Sequence, residues 1–276
     1  MSALATPGAA ELGLEAPTAT ALADLLLAMA DDEFVLGFWD SEWTGIAPVL
    51  EEDVAFSSLA QDEIGHAQAL YELLAQLTGT SADELAFGRQ ADEYRHANLL
   101  DHARGDWAFS VARRFLYDTA DTVRLTALTG SSFTPLAGLA DKMRREETYH
   151  LAHMHTWMHR LARPAGADEP RGRLLAACER LWPDAVTVFT RPAGEEHLVA
   201  AGILGESLDA CRQRWLSGLA PLFGELELPF PFRRAGRRLE PTFAEPSDGR
   251  RRRGDDFRWL WGEFTSVYRS EPGATW

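Results

Sequence analysis

Two helical stretches far apart in the chain each interrupt an apolar stripe with a glutamate and a histidine. The first is Glu63-Ile-Gly-His66 and the second is Glu147-Thr-Tyr-His150. Residues i and i+3 share a helix face about one turn apart, so each pair can present a carboxylate and an imidazole to one ion. A single pair is weak evidence, because Glu and His meet at that spacing by chance in many helices. Two pairs facing a common core match the carboxylate-bridged di-metal arrangement of helix bundles, which also takes one acid from each of two further helices. The question is whether those two acids exist.

They do. Met1 to Pro17 is rich in Ala, Gly and Pro and reads as a disordered lead-in. A helix is predicted from about Thr18, with Leu26, Ala30, Glu33 and Gly37 on one stripe, closed by Gly45 and Pro48. The next helix runs to about Leu77 along Phe56, Leu59, Glu63, His66, Leu70 and Leu74, and Thr78-Gly-Thr-Ser81 ends it. A third long helix opens after Gly105-Asp106, with Asp106 as its cap, and carries Val111, Phe115, Asp118, Thr122 and Leu125. The fourth runs from about Thr134 to Leu161 along Leu136, Ala140, Met143, Glu147, His150, Met154, Trp157 and Leu161. Glu33 precedes Glu63 by 30 residues and Asp118 precedes Glu147 by 29, a quasi-repeat that points to a four-helix bundle with a shared centre.

Ala82 to Leu99, studded with charges, reads as a solvated helical connector. Two further helices are expected over about Arg171–Phe189 and Glu195–Phe223. The arginine runs 233–238 and 250–253 read as solvated tail, or as partners for an acidic neighbour or a phosphate, followed by an amphipathic piece from Phe257 to Tyr268. The expected organisation is a lead-in over 1–17, one helical domain over 18–228 and a C-terminal extension with a short helix over 229–276.

A hydrophobic content of 46% is ample for a core. Twenty-seven Lys+Arg against 42 Asp+Glu give a formal charge of −15, which argues against nucleic acid as a partner. No apolar run reaches the roughly 18 to 20 residues that span a bilayer, and no signal-peptide pattern opens the chain. Cys178 and Cys211 suit two buried, reduced thiols in a cytoplasmic protein.

An unpaired buried carboxylate costs several kcal/mol, roughly, unless a cation or proton compensates it. Glu33, Glu63, Asp118 and Glu147 together need strong compensation. Two divalent ions supply it, and oxygen donors with two imidazoles suit iron, or manganese, better than zinc. The expected ligands are thus Glu33, Glu63, His66, Asp118, Glu147 and His150. Asp62 and Glu146, each four residues before a ligand histidine, are placed to accept its other N–H and fix its tautomer. Tyr149 reads as core packing, His153, His155 and His159 as surface, and His96, His102 and His197 follow no pattern.

With these residues in place the chain resembles the di-iron subunits of the bacterial phenylacetyl-CoA epoxidase, and most of all the C-type subunit. The stretches that carry the resemblance are Val35-Leu-Gly-Phe-Trp-Asp-Ser-Glu-Trp43, Leu50-Glu-Glu-Asp53, Asp62-Glu-Ile-Gly65 and Glu84-Leu-Ala-Phe87. Gly105-Asp106, Ala112-Arg113, Phe115 to Asp118, Tyr149-His150-Leu151, Leu181-Trp182 and Pro272-Gly-Ala-Thr-Trp276 continue it. The resemblance implies an all-α, ferritin-like four-helix bundle with additional helices and a C-terminal extension. In that family the A-type subunit is catalytic and carries the iron ligands, whereas the C-type subunit pairs with it and its ligand set is typically degraded. Here Glu63 and His66 are intact, and Glu33, Asp118, Glu147 and His150 stand where A-type ligands would be.

The implied role is a subunit of a multicomponent di-iron oxygenase in aerobic phenylacetate catabolism, epoxidising an aromatic ring held as its CoA thioester. Its implied partners are an electron-donating reductase and a catalytic A-type subunit, within a homo- or hetero-oligomer. No flavin, nicotinamide or Fe–S motif is present to supply those electrons from within. Two alternatives stand beside this reading: a non-catalytic structural partner of a separate A-type chain, and a metal oxidase or storage protein of the ferritin class.

Overall fold

Helix α1 (Ala16–Ser41) is out of water around nearly its whole circumference, from Ala19 and Leu22 to Leu36 and Trp39. Its partner α2 (Leu50–Thr78) is amphipathic. Phe56, Leu59, Glu63, His66, Leu70, Leu74 and Leu77 are buried while the opposite face is wet. The two form a helical hairpin whose axes come close at Gly37, where a Cβ would lie 3.0 Å from the Ile64 side chain and 3.1 Å from the Ala60 carbonyl. Gly79 stops α2 in the left-handed conformation (φ 72°), as the Thr-Gly-Thr-Ser signal predicts.

The computed structural model describes residues 4–166 and 168–271. They divide into two units. One combines the chain up to Ala103 with Pro192–Ala201 and the segment from Arg250. The other comprises Arg104–Arg191 and Gly202–Gly249. The expected closing motif from Pro272 to Trp276 lies outside the described residues.

In the first unit, the predicted connector helix over Ala82–Leu99 does not form. Its place is taken by one π turn and two 3-10 turns separated by extended residues, with Leu85, Ala86, Tyr94, Leu99 and Leu100 buried. The reason lies on α1. Asp31 accepts hydrogen bonds from the Tyr71 hydroxyl (2.5 Å), the Arg95 backbone N–H (2.5 Å) and Arg89 Nη1 (2.9 Å), and Arg89 Nη2 also pairs with it. A continuous helix would commit the Arg95 N–H to its own ladder and could not offer it to Asp31.

The arginine run 250–253 is also corrected, because two of its members are buried rather than solvated. Arg250 grips Asp32 with both terminal nitrogens, at 2.6 and 3.0 Å, and Asp32 accepts the Ala97 N–H as well. Arg253 donates to the carbonyls of Tyr94 and His96. These anchors lead into α8 (Asp255–Ser270), which buries Phe257, Leu260 and Phe264. Phe264 packs edge-on against Phe34 and Phe257 against Tyr94.

The second unit holds α3 (Trp107–Leu128) and α4 (Thr134–Ala162), with α5 (Glu169–Ala185) and α7 (Leu208–Glu225). Asp106 caps α3 as expected, its carboxylate accepting the Phe109 N–H at 2.9 Å. Trp182 gathers Trp215, Phe223, Phe230 and Phe232 around it and donates its indole N–H to the Pro229 carbonyl. A small antiparallel hairpin, β1 (Phe232–Ala235) with β2 (Arg238–Pro241), follows. The helix predicted over Glu195–Phe223 is broken, since α6 (Glu195–Ala200) stops before Gly202 (φ 70°) and α7 starts anew at Leu208. Cys178 and Cys211 are free and buried. Among the described residues no helix is long and apolar enough to cross a membrane. The all-α, ferritin-like class is thus observed, with only one hairpin of strand among the described residues.

Removing one partner of a fully desolvated ion pair strands the other charge. Arg250→Ala is therefore expected to lower the unfolding free energy by about 3 kcal/mol in urea titrations. Arg250→Lys recovers only part, because an ammonium cannot make the two-pronged contact. Unchanged stability in Arg250→Ala would contradict the anchoring role of this pair.

Candidate metal centre

All six residues expected as ligands are buried: Glu33, Glu63 and His66 in the first unit, Asp118, Glu147 and His150 in the second. Glu33 comes from α1 and the Glu63/His66 pair from α2, whose i, i+3 spacing aims both side chains to one side. His66 Nδ1 lies 3.3 Å from Glu33 Oε2 and 3.5 Å from Glu63 Oε2. The three residues offer ligand atoms within 4.8 Å of one another. Donors held about 2.1 Å from one ion stand roughly 3.0 Å apart at right angles and 3.4 Å apart at tetrahedral angles. The observed spacings fit donors around one small cation, so the set suits a metal on both chemistry and distance.

Without a metal, a proton fills that need. Burial by itself would push the His66 pKa down. Hydrogen bonds and charge from Glu33 and Glu63 outweigh it and raise the group from 6.5 to about 12. A base whose folded pKa is raised lends stability in full below its unfolded pKa, and loses it as pH climbs through the folded one. The imidazolium thus persists across the neutral range, and a metal ion must displace its proton.

In the second unit Glu147 is buried as well. Its carboxylate Oε1 lies 3.0 Å from His150 Nδ1. Asp118 and His150 have a further neighbour that the sequence reading passed over. Arg114, fully buried, places Nε 3.2 Å from Asp118 Oδ1 and Nη2 2.9 Å from His150 Nδ1. Its signal was present in the sequence, since an arginine four residues before Asp118 lies on the same apolar face.

Of the other expected residues, Asp62 is half-buried, and Glu146 is 36% exposed with Lys142 Nζ 3.8 Å away. Tyr149 is 79% exposed, which corrects its reading as core packing: position 149 falls between buried lines of α4 and faces water. His155 is exposed, with its ring edge against Phe115.

A buried Glu/Glu/His set on helices of an all-α, ferritin-like fold is one that could hold a metal ion. The comparisons with known proteins narrow the class. A family model described as "Phenylacetic acid catabolic protein" matches residues 9–276, and the chain belongs to that family. It is similar to the C-type subunit of the 1,2-phenylacetyl-CoA epoxidase of Escherichia coli (strain K12), with 30% identity over 164 residues, covering 59% of this chain and 65% of that one. It is also similar to the A-type subunit of the same epoxidase, with 25% identity over 160 residues, covering 58% of this chain and 51% of that one. The matched stretch spans less than two thirds of either relative.

The raised His66 pKa has a direct readout. In metal-free protein the His66 ring resonances are expected to hold imidazolium shifts from pH 5 to about pH 8, with no midpoint near the ordinary value of about 6.5. Adding a divalent metal at pH 7 should release a proton, detectable as buffer-dependent heat in calorimetry. A His66 midpoint near 6.5 would contradict the paired geometry.

Proposed function

We propose that this chain is a metal-binding subunit of a phenylacetyl-CoA epoxidase-type multicomponent oxygenase acting in aerobic phenylacetate catabolism. The observation that carries this is the buried Glu33/Glu63/His66 set in a member of the phenylacetic acid catabolic family. In this reading Glu33, Glu63 and His66 hold iron; manganese is the alternative ion. Bound iron supplies redox chemistry toward dioxygen, which no amino-acid side chain can provide. The residues of the chain balance the ion's charge, fix its donors and keep water out. Asp62, one turn before His66, accepts the ring's other N–H and holds the tautomer that leaves Nδ1 for the metal. The partners in this reading are an electron-donating reductase and a catalytic A-type subunit; the substrate is an aromatic acyl-CoA.

A second reading is a structural partner of a separate A-type chain, with the metal playing no part in turnover. The higher identity to the C-type relative than to the A-type one favours it, 30% against 25%.

Elemental analysis of purified wild type and of the Glu63→Ala/Glu147→Ala double variant tests the metal-binding reading, combined with capture of a co-expressed A-type chain. Iron in the wild type that falls to background in the variant supports the metal-binding reading. Metal-free wild type that still captures the A-type chain leaves the structural role alone.

A further inference from the structure

The two halves of the expected ligand set are not equivalent, and the difference is a charged side chain. Resting on the metal-binding reading above, we propose that this chain holds one metal ion, on the donors of α1 and α2, and that the Arg114 guanidinium takes the place of a second. Arg114 is fully buried and its fork is engaged on both sides. Nε faces both oxygens of Asp118, at 3.2 and 3.3 Å, and Nη2 meets His150 Nδ1 at 2.9 Å.

The direction of the last contact decides the chemistry. A guanidinium is always protonated and can only donate. Nδ1 of a neutral imidazole has one in-plane lone pair, so a hydrogen bond from Arg114 consumes the pair that a metal would need. A protonated Nδ1 would instead donate to the Glu147 carboxylate, 3.0 Å away, and again has no lone pair to offer a metal. The Arg114 guanidinium is the positive charge beside Asp118 and His150. Asp118 and His150 therefore do not fit the role of ligands to a second dication. Such an ion would have to displace a buried, doubly engaged arginine or tolerate its charge at close range in a poorly screened interior.

Aligning the halves on Glu33 and Asp118 shows the same asymmetry. The residue one turn earlier is Met29 on α1, buried and apolar, and Arg114 on α3. The donors around His66 Nδ1 keep the spacing of ligands to one ion.

The test uses the full chain, stripped with chelator and titrated with Mn(II) in excess Mg(II), which masks exposed acids. One Mn(II) per chain is expected, with the hyperfine sextet of an isolated ion in its EPR spectrum. His66→Ala should weaken Mn(II) binding at least about tenfold, whereas His150→Ala should leave it within about twofold. Arg114→Met, which copies Met29, should raise the capacity to two ions with an exchange-coupled spectrum. Two ions in the wild type, or equal loss of affinity in the two histidine variants, overturns the inference. So does a capacity of one in an Arg114→Met protein that melts cooperatively; if that variant does not fold, the histidine pair decides. A wild type that binds no Mn(II) overturns instead the metal-binding reading on which this rests.

Discussion

Three consecutive carboxylates on α1, those of Asp31, Asp32 and Glu33, lie entirely out of water. Uncompensated, each would cost several kcal/mol, roughly, which is comparable to the whole stability of a typical domain. Successive helix residues point about 100° apart, so the three carboxylates face more than half the circumference of α1. Each is answered from a different part of the first unit. Asp31 is held by Arg89 and Tyr71, Asp32 by Arg250 and Glu33 by His66. The irregular segment after α2, the start of the C-terminal segment and α2 itself are thereby set in register against a single helix. A site built on Glu33 inherits that rigidity, because its neighbours in sequence are fixed by ion pairs rather than by apolar packing alone.

The periodicity of the sequence was enough to find Glu33, Glu63, His66, Asp118, Glu147 and His150, and all six are buried as expected. Stepping by three and four residues selects one face of a helix, and for α2 and α4 one face is what matters. Asp31 and Asp32 escaped because α1 is buried on all sides, so no stripe singles them out. Arg250 escaped for another reason: its partner is 218 residues away, and a run of arginines near the end of an acidic chain looks solvated. The segment over Ala82–Leu99 was misread for the same cause, since its backbone N–H groups serve a side chain on α1 rather than a helix ladder.

Arg114 shows where legibility of the site ended. Periodicity reports that a position is buried, but not which charge it meets there. Following Val111, Phe115 and Asp118 steps over the arginine between them, although the comparison of Arg114 with Met29 needs only the two halves of the quasi-repeat side by side. The half with methionine has an apolar side chain at that position, and the half with arginine has a cation there. Neither the fold nor the buried acids distinguish a set that awaits a metal from one that a guanidinium has satisfied.

The most direct measurement is anomalous diffraction, recorded on either side of the manganese absorption edge from crystals grown with Mn(II). A peak bounded by Glu33 Oε2, Glu63 Oε2 and His66 Nδ1 is the expected result. A map without a peak there, or with the ion between Asp118 and His150, would contradict the view that the acids of α1 and α2 are buried to hold a metal.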